Sequence, residues 1–207
     1  MTGLATTTTL ADPDALIERF DALYRDSQGD VTRVPWAHAR ANPCMVAWLN
    51  VEAPNLLRPG ARVAVIGCGF GEDAAALADR GYDVTAFDAC PSAIEHAKRR
   101  HGALARSFMV ADLMDLPSRL HHRFDLAVEV HTLQALPPEH RPALAAGMAD
   151  LLSHRGAALR RRAWAAHGRH QRRALRHPRG RPRPRGPQRD RDGLLPVRRP
   201  APAVLHR

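Results

Sequence analysis

The run Gly67-Cys68-Gly69-Phe70-Gly71-Glu72-Asp73 has the residue types of a ligand-holding loop. Its three glycines let the backbone turn sharply and let a ligand approach the main chain with no Cβ in the way. An apolar run, Val63–Ile66, precedes the loop and an Ala-rich helical stretch follows it. A nucleotide-loop motif needs that strand-to-helix context. The spacing narrows the ligand. A dinucleotide fingerprint places its third glycine at G-x-G-x-x-G, and here that position holds Glu72, whose charge would oppose a pyrophosphate. The absence of G-K-[ST] excludes a P-loop. G-x-G-x-G suits a cationic, phosphate-free ligand. Asp88, 21 residues after Gly67, stands at the end of a second apolar run, where a carboxylate can accept from both hydroxyls of a ribose. Asp112 ends a third run and can accept from an adenine amino group. Three successive strand ends thus carry features that suit an adenosine.

The elements that must position these residues follow from periodicity. Val63–Ile66 is a short continuous apolar run, as expected for a strand buried on both faces. Residues 73–80 read as a helix, closed by Gly81. Val84–Phe87 reads as a second strand. Ser92-Ala93-Ile94-Glu95 has capping-box spacing and opens a helix to about Arg100. Phe108–Ala111 and Leu126–Val130 read as further strands, and Pro138–Leu152 as a helix. Upstream, Asp12 opens a helix with Leu16, Phe20, Leu23 and Tyr24 on one face. Asn42-Pro43 is a second helix start. Alternating strands and helices predict an α/β domain, with helices on both faces of a parallel sheet.

Charge divides the chain. The 207 residues carry a formal net charge of +10, with 31 Lys plus Arg against 21 Asp plus Glu. Residues 1–152 sum to −5 and residues 153–207 to +15, the latter from 17 Arg and no Lys. Basic charge is therefore no property of the predicted domain. Three cysteines without a C-x-x-C pair argue against a disulfide framework or a zinc site and for a reducing compartment. No segment offers the roughly 18 apolar residues of a membrane span, and the Thr-rich start does not read as a signal peptide. A cytoplasmic monomer is expected.

Taken in order, Gly67-Cys68-Gly69-Phe70-Gly71 with Asp73, Phe87-Asp88, Ala111-Asp112-Leu113 and Phe124–Glu129 resemble the motifs of class I S-adenosylmethionine (SAM) dependent methyltransferases. Val34-Pro35-Trp36, Asn42-Pro43 and Thr132-Leu133-Gln134-Ala135-Leu136-Pro137-Pro138 are similar to the thiopurine-methyltransferase-like branch. The resemblance covers about residues 12–152. It implies a three-layer, Rossmann-like fold with sheet order 3-2-1-4, SAM as the methyl donor and a small-molecule methyl acceptor. It also implies roles. Gly67, Cys68, Gly69 and Gly71 would line the methionine part of SAM, and Asp88 would bind its ribose. Asp112 and Leu113 would flank the adenine. Glu129 and Val130 would lie near the methionine end, and Trp36 would close over the site. Many relatives carry an acidic residue where this chain has Val65, so Asp73 or Glu129 would hold the amino group instead. His131 stands where a general base would serve an acceptor that must lose a proton. The alternative for His131 is a solvent-facing loop residue, for Trp36 core packing, and for Cys68 a small packing side chain.

From Ser153 the periodicity lapses into Arg, Pro, Ala and Gly. Residues 1–11 and 153–207 are expected to be disordered, and the family's C-terminal strands to be missing or non-native. Lys98 is the only lysine, which suggests a GC-rich gene, and the tail reads as such a gene translated out of frame from between Ser153 and Arg160. The rival readings are a catalytically inactive SAM-binding remnant and a basic arm that binds nucleic acid non-specifically through phosphates. If the sheet stopped at the fourth strand, Leu126–Val130 would be an exposed apolar edge.

Overall fold

The computed structural model describes residues 12–161. Their strands form one parallel sheet in the order β3-β2-β1-β4-β5. The strands are β1 (Arg62–Ile66), β2 (Asp83–Asp88), β3 (Phe108–Val110), β4 (Phe124–Val130) and β5 (Leu152–Arg161). The helices are α1 (Pro13–Ser27), α2 (Pro43–Val51), α3 (Ala53–Leu56), α4 (Glu72–Ala78), α5 (Pro91–Arg100), α6 (Thr132–Ala135) and α7 (Arg141–Leu151).

Strand alternation builds the three layers. Val63 and Val65 of β1 face one side, with Met45 and Trp48 of α2, Leu77 of α4 and Ile94 of α5. Ala64 and Ile66 face the other, with Leu133 of α6 and Leu144, Met148 and Leu151 of α7. A strand with helices on both faces has no polar face, so β1 reads as a continuous apolar run. A third cluster seats α1 and the segment behind it against the sheet edge. Tyr24, Val31 and Val34 pack there on Phe70, Cys90 and Ala93.

Two sequence expectations are corrected. The order 3-2-1-4 is present, but a fifth strand lies beyond β4, so the boundary at Leu152 cuts through the sheet. β5 pairs in parallel with β4, Ala127 opposite Ala158 and Val128 opposite Leu159. Ala158 and Leu159 are buried on opposite faces. Small residues hid this strand from a periodicity reading. One of them is required, because a Cβ on Gly156 would lie 2.6 Å from the Phe124 carbonyl oxygen, where the register shifts. β4 is therefore interior rather than an exposed edge. The expectations for residues 1–11 and for the tail beyond Arg161 lie outside the described residues.

The second correction concerns α5. The capping box at Ser92–Glu95 does not form. α5 starts at Pro91, and Glu95 pairs with Arg99 instead. Ser92 gives its backbone N–H (2.7 Å) and its hydroxyl (3.0 Å) to the buried carboxylate of Asp21 on α1. The first turn of α5 is thus satisfied from another helix, which also fixes α1 in place. The Asn42 start holds as read: Asn42 Oδ1 accepts from Cys44 N (3.0 Å) and Met45 N (3.3 Å).

Candidate active site

A cavity of about 430 Å³ opens over the C-terminal ends of β1 to β4. Ligands of open α/β sheets sit at this edge. Its floor is the glycine loop from Gly67 to Phe70, with Gly71 not among the lining residues, its far walls are the loops after β2, β3 and β4, and its roof is α1 with residues 36–42.

The loop glycines all have positive φ: +60° at Gly67, +52° at Gly69 and +92° at Gly71. Protein side chains already crowd them. A Cβ at Gly67 would lie 2.1 Å from Thr132 Oγ1, and one at Gly69 would lie 2.9 Å from the Tyr24 hydroxyl. The glycines therefore serve the packing of α6 and α1 against the loop as well as access to the backbone.

Asp88 carries the strongest ligand-binding geometry. It is 8% exposed, and its two carboxylate oxygens accept from Gly69 N (2.9 Å) and Cys90 N (3.0 Å). Burial raises its pKa above the ordinary carboxylate range, and the two N–H donors oppose that rise. A carboxylate has about four acceptor sites, so capacity remains for hydroxyls of a ligand. On the next strand end, Asp112 accepts from Met114 N (2.9 Å) and lines the cavity beside the buried Leu113.

Asp73 also lines the cavity, and its Oδ1 accepts from Asn42 N at 2.6 Å. That bond ties the start of α2 to the first turn of α4. Burial, with Glu72 beside it, raises the Asp73 pKa against the Asn42 bond. Cys68 lines the cavity too. Burial, with Asp88 nearby, pushes its thiol well up, so it stays protonated and acts as a small packing group.

Glu129 lies behind the cavity wall. It is 1% exposed, does not line the cavity, and accepts from Leu133 N at 2.9 Å, within the first turn of α6. Its neighbours Val130 and His131 do reach the cavity wall. Trp36 lines the roof and is no plain core residue. Its indole N–H donates to the Tyr24 hydroxyl (3.1 Å), and its ring meets Phe20 edge-on at 5.4 Å. Tyr24 is placed by the sequence on one face of its helix and given no further role. It is buried, its phenol is pushed up by burial and by Asp88, and its hydroxyl sits over Gly69. Periodicity carries no signal for this, because a core tyrosine and a roof tyrosine occupy the same helix face. Asn42 was read as a cap alone, and His38, Arg40 and Gln134 were not singled out. All four line the cavity.

The residues fit SAM. Gly67 to Phe70 line the cavity, Asp88 and Asp112 offer acceptors on adjacent strand ends, and no phosphate-binding lysine is required.

Residues 63–156 match a family model described as a methyltransferase domain. Over 126 residues the chain is 33% identical to thiocyanate methyltransferase 1 of Brassica oleracea, covering 59% of this chain and 53% of that protein. It thus spans about half the length of the curated relatives it matches. A solved structure concerned with converting a disulfide bond into a thioacetal group during echinomycin biosynthesis is 32% identical, with a TM-score of 0.59. That match covers 70% of this chain and 59% of the other. The 1,6-didemethyltoxoflavin-N1-methyltransferase of Burkholderia thailandensis, solved with S-adenosylhomocysteine, is 22% identical with a TM-score of 0.53, covering 71% and 61%. The fold is the Rossmann-like methyltransferase fold.

Proposed function

We propose that this chain transfers a methyl group from SAM to a small-molecule nucleophile, with sulfur as the acceptor atom. The observation that carries the donor half is Asp88, buried at the end of β2 with acceptor capacity turned to the cavity and both oxygens held by backbone N–H groups. When bound, SAM supplies a methyl already activated on a sulfonium. What remains for the chain is to position two reactants and exclude water. Asp88 and Asp112 would hold ribose and adenine. Gly67 to Gly71 would pass beneath the methionine part, with Asp73 at its amino end. Trp36, Tyr24 and Phe20 would roof the reacting atoms.

Support for a sulfur acceptor comes from two relatives above 30% identity, one named for thiocyanate and one for the conversion of a disulfide. A small acceptor suits the cavity, whose volume is in the lower part of the small-ligand range. Free Cys44, Cys68 and Cys90 suit a reducing compartment such as the cytoplasm. No helix among the described residues is long and apolar enough to cross a membrane.

The test is calorimetry with SAM on the full chain, followed by methyl-transfer assays over thiols, selenols and amines. We expect SAM binding and turnover with thiols and selenols. Absence of SAM binding would overturn the reading, and turnover with amines alone would overturn the sulfur assignment.

A further inference from the structure

We infer that His131, oriented by Gln134, is a hydrogen-bond donor to an acceptor that arrives already ionised, and that with His38 and Arg40 it forms a subsite for a small anion. This rests on the methyl-transfer reading above and names the acceptor class of the same cavity.

His131 follows the last residue of β4, one strand along from the glycine loop and on the side away from Asp88 and Asp112. It is thus at the acceptor end. Its backbone is held at φ +75°, a conformation that costs a non-glycine residue about 1 kcal/mol or more and recurs at functional sites. The ring is oriented by one bond: the Gln134 side-chain amide lies 2.5 Å from Nδ1 and donates to it. A neutral imidazole that accepts at Nδ1 carries its proton on Nε2. His131 then presents an N–H, and a ring in that tautomer cannot take a proton at Nε2.

A histidine that works as a base has the opposite support. Its Nδ1–H donates to a carboxylate, which stabilises the imidazolium that forms. Here the Nδ1 partner is an uncharged amide. The carboxylates of the cavity wall, Asp73, Asp88, Asp112 and Glu72, belong to the glycine loop, α4 and the ends of β2 and β3. None of them raises the His131 pKa. Burial lowers it, and His38 from the roof lowers it further. His131 stays neutral and donating near pH 7. His38 and Arg40, both exposed and lining the cavity, add donors, and Arg40 adds a positive charge. The acceptor end is a set of donors that suits an anion.

The reaction balances without a proton transfer. The acceptor lone pair forms the new bond to the methyl carbon, and the sulfonium S–C electrons stay on the departing thioether sulfur. The charges −1 and +1 disappear together.

The test uses the full chain, His131→Gly, which keeps the positive φ without strain, and His131→Asn, which keeps an amide donor. With S-adenosylhomocysteine bound, so that no turnover occurs, calorimetry measures thiocyanate binding. We expect a loss of about ten- to a hundredfold in His131→Gly, the size of one charge-assisted bond, with most of it recovered in His131→Asn. In turnover, the midpoint of the kcat/KM profile should move between an aromatic and an aliphatic thiol with each thiol's own pKa. Unchanged thiocyanate affinity in His131→Gly would overturn the subsite. A midpoint shared by both thiols and abolished in His131→Gly would make His131 a base and overturn the donor role. Neither result would touch the SAM reading, which fails only if S-adenosylhomocysteine and SAM do not bind.

Discussion

The two ends of the cavity are held by different kinds of structure. At the donor end each carboxylate is anchored by backbone N–H groups: Asp88 by Gly69 and Cys90, Asp112 by Met114, Asp73 by Asn42 at the start of α2. At the acceptor end, the orienting contact is between two side chains, Gln134 to His131, on the segment that follows β4. Backbone anchors are fixed by the fold and survive changes of neighbouring side chains. Side-chain anchors change with single substitutions. A scaffold built this way can keep its donor constant while the acceptor is altered.

The largest expected effect separates the two ends directly. Asp88→Ala removes the acceptor for two ribose hydroxyls, each hydrogen bond to a charged group contributing about 1.5–3 kcal/mol. SAM affinity should fall at least a hundredfold in calorimetry. Thiocyanate binding, measured without the donor, should change less than threefold. Equal losses of both ligands would show that the two ends form one unit and would break the comparison.

A second variant probes the point where the ends meet. Gly67 lies under Thr132, whose hydroxyl donates to the Ile66 carbonyl at 3.3 Å. Gly67→Ala places a methyl 2.1 Å from that hydroxyl oxygen at φ +60°. Overpacking costs about 1–3 kcal/mol and the left-handed conformation about 1 kcal/mol. Denaturant unfolding should register a loss of about 2–4 kcal/mol. Gly67→Ala combined with Thr132→Ala should recover the steric share and leave the conformational share. A double variant no more stable than the single one would place the strain elsewhere in the loop.

This division also explains what was legible in the sequence. Gly67–Gly71, Asp88 and Asp112 recur at the ends of consecutive strand-helix units, so their spacing is set by the fold and can be read along the chain. Trp36 was legible from its Val-Pro-Trp context, but its partner Tyr24 was not, because α1 reaches the glycine loop only by tertiary packing. Glu129 was placed on the correct strand end, but its bond to α6 was not legible. Strand alternation turns it inward, where α6 offers Leu133 N. β5 was illegible because its sequence, LSHRGAALRR, lacks a continuous run of large apolar residues, and its small residues resemble the arginine-rich text around them. The Ser92 capping box failed because a buried carboxylate on α1 competes for the same donors.

The smallest expected effect decides to which end the roof belongs. Trp36 touches Phe20 and Tyr24, and through the Tyr24 hydroxyl it sits above Gly69, which is bonded to Asp88. That chain of contacts assigns the roof to the donor end. Trp36→Phe keeps a ring beside Phe20 and deletes the 3.1 Å hydrogen bond to the Tyr24 hydroxyl. One neutral hydrogen bond contributes about 1 kcal/mol, so SAM affinity should fall about fivefold and the acceptor KM should stay within twofold. Because Tyr24 is buried, its hydroxyl would then need a new partner, and denaturant unfolding should show a loss of similar size. If the KM rises while SAM affinity holds, the indole N–H orders the acceptor side. The roof would then join His38 and Arg40 as part of the exchangeable end.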